Sequence, residues 1–208
     1  KLLNCEDFPE ANKQIIKVLQ LPKFLPITPD LKDFESLKTV LETYSTQSVS
    51  LVQFRQTHLD SEGYLSFFKQ AQIIANKYGI RLLFNGELQD FQKTEAVGFH
   101  ANSRRLMQMT NRGVESYRYF GASCHNVNEL KKALELGADY VSLSPVLETK
   151  KHNDRIGWEK FHNLSIGVHL PIYALGVGVK DLRVARVNGA YGVSGISSWL
   201  KSTDFNSN

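Results

Sequence analysis

The chain has 208 residues, 42% of them hydrophobic and 22% charged, with a formal net charge of +4. That apolar content excludes intrinsic disorder, and the length supplies one ordinary domain that can bury a core without staples. No window approaches the roughly 18 consecutive apolar residues of a membrane-spanning helix, and Cys5 and Cys124 make no disulfide framework. With no signal peptide in view, the expected location is cytoplasmic. The basic residues are scattered and no nucleic-acid signature appears, so neither nucleic acid nor membrane is an expected partner. Small phosphorylated ligands satisfy the positive balance more economically.

In chain order, Phe8-Pro9 opens a helical pattern through Ala11, Ile15, Ile16, Val18 and Leu19 that Leu21-Pro22 stops, so residues 1–22 read as a linker or extra helix. A strand-then-helix rhythm follows. The strand-like runs are Phe24–Thr28, Val49–Phe54, Arg81–Phe84, Ala96–His100, Tyr117–Ser123, Asp139–Leu143, Pro171–Leu175 and Ala190–Val193. Helical patterns are clearest at Leu65–Tyr78 and Val127–Leu136, while the short gaps after the third and fourth strands predict brief helices. Alternating units with short links imply a parallel sheet with right-handed crossovers. Eight of them predict a single α/β domain, a (β/α)8 TIM barrel over residues 23–201, followed by a disordered tail at 202–208. An open doubly wound sheet is the alternative, but it needs a glycine-rich turn after the first strand, and Ile27-Thr28-Pro29-Asp30 is not one.

An internal echo supports the barrel. The segment Glu129–Val141 aligns without gaps on Asp181–Val193, two βα units later. In both copies a helix is expected to end at a glycine, Gly137 or Gly189, where the left-handed cap is cheap. Two unrelated helix–glycine–strand joins would read the same way.

Function in such barrels gathers at the strand C-termini, with phosphate at the loops after strands seven and eight. Those loops contain Gly176, Val177 and Gly178, then Gly195, Ile196 and Ser197, and a helix is expected to start near Ile196. Their main-chain amides are expected to converge and capture an oxyanion; glycines that only ease tight turns are the alternative. Gln53 and Arg55 alternate onto one face at the end of strand two, and Arg81 and Asn85 repeat the pattern on strand three. A charged side chain in a barrel mouth needs an anion, although Arg55 between helices would simply face solvent. Cys124 and His125 are neighbours and face opposite ways in a regular strand, so they make no nucleophile–base pair, whereas Ser123 and His125 share a face. His125 is therefore the candidate proton carrier, against a merely packed histidine, and Cys124 reads as core. The long polar segment from Ser144 to Arg155 reads as a binding loop or a solvated one, with Thr149 and Lys150 as candidate phosphate clamps.

Taken together, Gly121-Ala-Ser-Cys-His-Asn, Leu136-Gly-Ala-Asp-Tyr-Val, Ser144-Pro-Val-Leu-Glu-Thr-Lys, Pro171-Ile-Tyr-Ala-Leu-Gly and Gly189-Ala-Tyr-Gly-Val resemble the thiamine-phosphate synthase/TenI family. Gln53-Phe-Arg55, Leu83-Phe-Asn85 and Val97-Gly-Phe-His100 match its earlier strands more loosely. The N-terminal stretch resembles the linker in fusions of a Nudix hydrolase to such a barrel, which implies an attached Nudix domain as a partner. Self-association stays open. The family's synthases join hydroxymethylpyrimidine diphosphate to thiazole phosphate with magnesium. The resemblance implies that Gly176, Ile196 and Ser197 hold the thiazole phosphate, and that Gln53, Arg55, Asn85, Thr149 and Lys150 hold the diphosphate side.

The departures from that pattern matter. The synthases' acidic residue after the strand-three Asn is Gly86 here, and their second magnesium-binding Asp aligns with Arg105. Thr57, His152 and Val177 also replace family residues, two lysines and a glycine. No metal and no resident cofactor are therefore expected, with Mg2+ only if synthase chemistry is retained. The TenI branch uses no metal and tautomerises thiazole phosphate with a histidine that His125 matches. The expected ligand is a phosphorylated thiazole or a related thiamine-pathway molecule. A metal-free tautomerase is favoured over the condensing synthase and over a non-catalytic binding domain.

Overall fold

The computed structural model describes residues 17–147 and 155–200. Eight parallel strands, β1 (Phe24–Pro26), β2 (Leu51–Phe54), β3 (Arg81–Phe84), β4 (Gly98–Ala101), β5 (Tyr119–Cys124), β6 (Tyr140–Leu143), β7 (Ile172–Leu175) and β8 (Gly192–Gly195), pair in the order β1-β8-β7-β6-β5-β4-β3-β2. The remaining seam, β1 to β2, closes through one parallel bridge between Ile27 and Gln53. Thr28 reinforces it: its amide donates to the Gln53 carbonyl (3.0 Å), and its hydroxyl donates to the Arg55 carbonyl (3.0 Å) and accepts from the Arg55 amide (2.9 Å). The expected (β/α)8 barrel is the observed fold.

Between the strands run α1 (Phe34–Thr46), α2 (Ser61–Lys77), α3 (Leu88–Phe91), α4 (Ser103–Gln108), α5 (Val127–Glu135), α6 (Gly157–Ser165) and α7 (Leu182–Val187). Short polar side chains start four of them. Asp33, Asp60, Asn102 and Asn126 each accept an otherwise unpaired amide of the first turn. As the spacing predicts, α3 and α4 are brief, at 4 and 6 residues. Where a helix is expected to start near Ile196, the described residues form a 3-10 turn, Ser198–Leu200. Gly137 and Gly189 take φ of 69° and 94° behind their helices, and Gly79 after α2 is a third copy of the same cap, at 68°. The calls at residues 1–16, for the extra helix and Nudix linker, and at 202–208, for the tail, lie outside the described residues.

Strand alternation divides the core in two. Outside the barrel, Phe54, Phe84, Phe99 and Phe120 stand opposite one another across β2 to β5 and pack with Phe68 and Phe91 under the helices. Inside, Leu25, Leu51, Leu83, Tyr119, Tyr140 and Tyr173 fill the lower half. The N-terminal segment seals the base: Tyr119, Tyr173 and Tyr191 donate their hydroxyls to the carbonyls of Lys17, Pro22 and Leu21. Fully buried Asp139 sits beside this plug and holds Lys17 Nζ at 2.9 Å, Arg112 Nη2 at 2.7 Å and the Phe120 amide at 2.8 Å. Removing one charge of a buried set leaves the others uncompensated. Asp139→Asn is therefore expected to lower stability by about 3–5 kcal/mol, read from urea unfolding.

Candidate functional site

A hydrogen-bonded column rises inside the barrel above the tyrosine plug. Tyr140 Oη lies 3.0 Å from His100 Nδ1, and His100 Nε2 lies 2.8 Å from Ser123 Oγ. Gly121 makes room for this, because a Cβ there would run into the Tyr140 ring. Burial, and after it the positive charge of Arg105, pushes His100 down to about 3. The imidazole is thus neutral near pH 7, and one ring nitrogen donates while the other accepts. Burial likewise pushes the Tyr140 hydroxyl well above its usual range, so it too stays neutral. Gln53 Oε1 and Ser142 Oγ share this interior by alternation and are buried without a partner among the described residues.

The rim over β2 to β4 carries two arginines, Arg55 and Arg105, together with Glu87. The Tyr64 hydroxyl donates to the Phe54 carbonyl (2.7 Å) and accepts the Asn85 amide (3.0 Å), tying the ends of β2 and β3 together. Arg55, partly buried, follows directly on β2. Asn85 Oδ1 accepts Arg105 Nη1 at 3.1 Å, and Glu87 Oε1 accepts Arg105 Nε at 2.9 Å. Arg105 separates a cleft of about 370 Å³, lined by Glu87, Leu88, Phe99, Gln108 and Met109, from one of about 100 Å³ beside Gln56, Ser61, Tyr64 and Gly86. Arg81 opens β3 and so lies at the opposite end of the barrel from Asn85.

These residues do not fit a divalent cation at the rim. A Cβ on Gly86 would stand 2.6 Å from Phe84 Cε1 and 2.7 Å from Tyr64 Cε1, so no acidic side chain enters there. The other position expected to bear an acid is the guanidinium of Arg105, which takes up oxygens of both Asn85 and Glu87. Among the described residues no group of three or more His, Cys, Asp or Glu is placed to hold a metal ion.

The shared face expected for Ser123 and His125 holds only as far as the strand does. Ser123 lies in β5 and points at His100, whereas His125 is the first residue beyond the strand and is exposed. Its Nδ1 lies 2.9 Å from Glu129 Oε2, which also accepts the His125 amide at 2.6 Å. A carboxylate oxygen only accepts, so the Nδ1–H donates to Glu129 and Nε2 is the ring nitrogen that Glu129 does not engage. Cys124 faces the outer core, and burial, then the Glu129 charge, pushes its thiol up to about 12.

Across the mouth, the loops after β7 and β8 do meet. A Cβ on Gly195 would stand 3.0 Å from the Val177 carbonyl, and one on Gly178 would stand 3.5 Å from Ser198 Cβ. One expected donor is spent, however: the Gly178 amide donates to Asp181 Oδ2 at 2.7 Å. Val177 buries its side chain in the outer core, Gly176 takes φ of 86°, and Ser197 is exposed. The Gly195 amide is spent as well, since Gly195 pairs with Pro26 in the β8–β1 ladder, which leaves the amides of 176–177 and 196–197 as the candidate donors at this rim. Thr149 and Lys150 lie outside the described residues.

His100, Tyr140, Glu129, Asp181 and Arg105 as an anchored cation were not singled out as site residues by the sequence. The alternation that places Gln53 inward also places His100 inward, since Phe99 beside it belongs to the outer row. No comparable local signal exists for Arg105, whose partners come from another βα unit.

The thiamine monophosphate synthase family model matches residues 24–199. The chain is 30% identical over 186 residues to an Aquifex aeolicus protein provisionally named thiamine-phosphate synthase 2, covering 88% of this chain and all of that one. It is 28% identical over 179 residues to the thiamine-phosphate synthase of Desulfitobacterium hafniense, covering 83% and 84%. Among solved structures, thiamine phosphate pyrophosphorylase from Pyrococcus furiosus superposes with a TM-score of 0.66 at 19% identity, covering 88% of this chain and 89% of that one, a likeness of fold. No described helix is long and apolar enough to cross a membrane.

The neutral His100 has a consequence for stability. Its folded value of about 3 lies below the ordinary 6.5, so the unfolded chain binds the proton first as pH falls. Stability is therefore whole above pH 6.5 and is lost progressively below it. Between pH 6.5 and about 5, above most carboxylate titration, this group is expected to remove roughly 1.5 kcal/mol. Urea midpoints at the two pH values check this, and His100→Gln is expected to flatten the slope.

Proposed function

The chain belongs to the thiamine monophosphate synthase family, and from that membership we propose that it binds a thiazole phosphate at its barrel mouth and tautomerises it without a metal. The observation that carries this reading is the His125–Glu129 pair at the rim, in which the carboxylate lies 2.9 Å from Nδ1 and leaves Nε2 for a ligand. Nε2 takes a proton from one position of the bound ring and returns it to another, so no group leaves and no charge has to be absorbed. Glu129 keeps the imidazole oriented and stabilises the imidazolium formed between the two transfers. Amides of Gly176, Val177, Ile196 and Ser197 hold the phosphate, and Ser123 and Gln53 supply polar contacts to the ring.

The condensation of hydroxymethylpyrimidine diphosphate with thiazole phosphate is the second reading, favoured by the names of the relatives. The two are separated in one assay. The tautomerase is expected to turn over with EDTA present and to lose about 100-fold or more in rate in His125→Ala. Thiamine phosphate made from the two substrates, and lost on chelation, reverses the assignment.

Asp181 supplies a separate check on the phosphate end. Its carboxylate occupies the Gly178 amide and adds a negative charge beside the cradle. Asp181→Asn is expected to tighten orthophosphate binding several-fold by calorimetry; unchanged or weaker binding places the phosphate elsewhere.

A further inference from the structure

We infer that Trp199 is a positioning residue for the phosphate cradle: the far edge of its indole backs the loop after β8, and the turn that carries it sets the spacing between that loop and the one after β7. This rests on the reading of those two loops as the phosphate site. The contacts lie within one 3-10 turn, Ser198–Leu200. The Leu200 amide closes it on the Ser197 carbonyl at 3.3 Å, directly behind the candidate donors of 196 and 197. Trp199 is fully buried. A Cβ on Gly195 would stand 3.1 Å from Trp199 Cζ3 and 3.9 Å from Cη2, so the six-membered ring lies against the backbone there. On its other side Gly195 is held by β1, where its carbonyl accepts the Ile27 amide at 2.8 Å. One residue before the indole, Ser198 Cβ stands 3.5 Å from where a Cβ on Gly178 would be. The same turn therefore touches both loops.

A second observation sets this contact apart from ordinary core packing. The turn is anchored from behind by Gln47, the residue after α1, whose Nε2 donates to the Trp199 carbonyl at 3.0 Å. Yet Trp199 Nε1, Gln47 Oε1 and Ser198 Oγ are all buried with no hydrogen-bond partner among the described residues. A polar group buried unpaired lowers stability, and an aliphatic or phenyl side chain at 199 would bring no N–H to bury. What such side chains lack is reach. Only the second ring of an indole extends to the Gly195 backbone, so the residue present favours the placement of the loop over the stability of the core.

The test is a calorimetric titration of the full chain with orthophosphate, wild type against Trp199→Phe, beside an emission titration of Trp158→Phe, in which Trp199 is the one tryptophan left of two. Trp199→Phe keeps an aromatic ring and removes the unpaired N–H, but stops short of Gly195. It is expected to weaken orthophosphate binding about fivefold or more. Trp158→Phe is expected to bind as wild type does, with Trp199 emission changing along the calorimetric isotherm. A merely structural Trp199 would move the melting temperature and leave affinity and emission alone. A folded Trp199→Phe that binds like wild type, or emission that stays flat while calorimetry records binding, overturns the inference and leaves the phosphate site standing. If a thermal melt shows Trp199→Phe unfolded, the emission titration decides alone. A wild-type chain that does not bind orthophosphate overturns the reading of the two loops, and this inference with it.

Discussion

A row of four phenylalanines decides what this barrel offers to a ligand. Phe54, Phe84, Phe99 and Phe120 stand in register across β2 to β5 and face the helices. Because side chains alternate along a strand, burying these rings outside turns the next residues inward. A slip by one residue would put the rings into the barrel and carry His100 and Asn85 out of it. The polar interior is therefore a by-product of apolar packing on the other face, and the site inherits its precision from the outer core.

Along the barrel axis the chain sorts its polar groups by depth. The base is closed by tyrosine hydroxyls on the N-terminal carbonyls and by Asp139 with its two cations. The middle holds neutral groups only, because a buried charge there would have no counter-charge or water. At the mouth the solvent returns, and the charged residues Arg55, Arg105 and Glu87 and the His125–Glu129 pair appear. Charged side chains gather at that end because only there can a charge be partnered by something that arrives from outside.

Within that frame, small local events redirect the chemistry. Aromatic rings close the space beside Gly86, the Arg105 guanidinium binds Asn85 and Glu87, and Asp181 takes up the Gly178 amide. Each leaves the fold untouched.

Much of this protein was legible in one dimension. The eight strands, the brief helices after β3 and β4, the glycine caps at Gly137 and Gly189 and the inward turn of Gln53 all follow from periodicity and backbone sterics, which act between near neighbours. The same local rules stop where the chain leaves its regular path: they put His125 beside Ser123, but the strand ends at Cys124 and His125 turns out to Glu129. They also drew a helix at Ile196 where the described residues form a 3-10 turn, Ser198–Leu200. What tertiary structure alone decided was pairing between distant residues: His100 with Tyr140, Arg105 with Asn85 and Glu87, the loops after β7 and β8 with each other. Such pairs depend on barrel closure, which brings together atoms from separate βα units, and no pattern within either unit carries the distance between them.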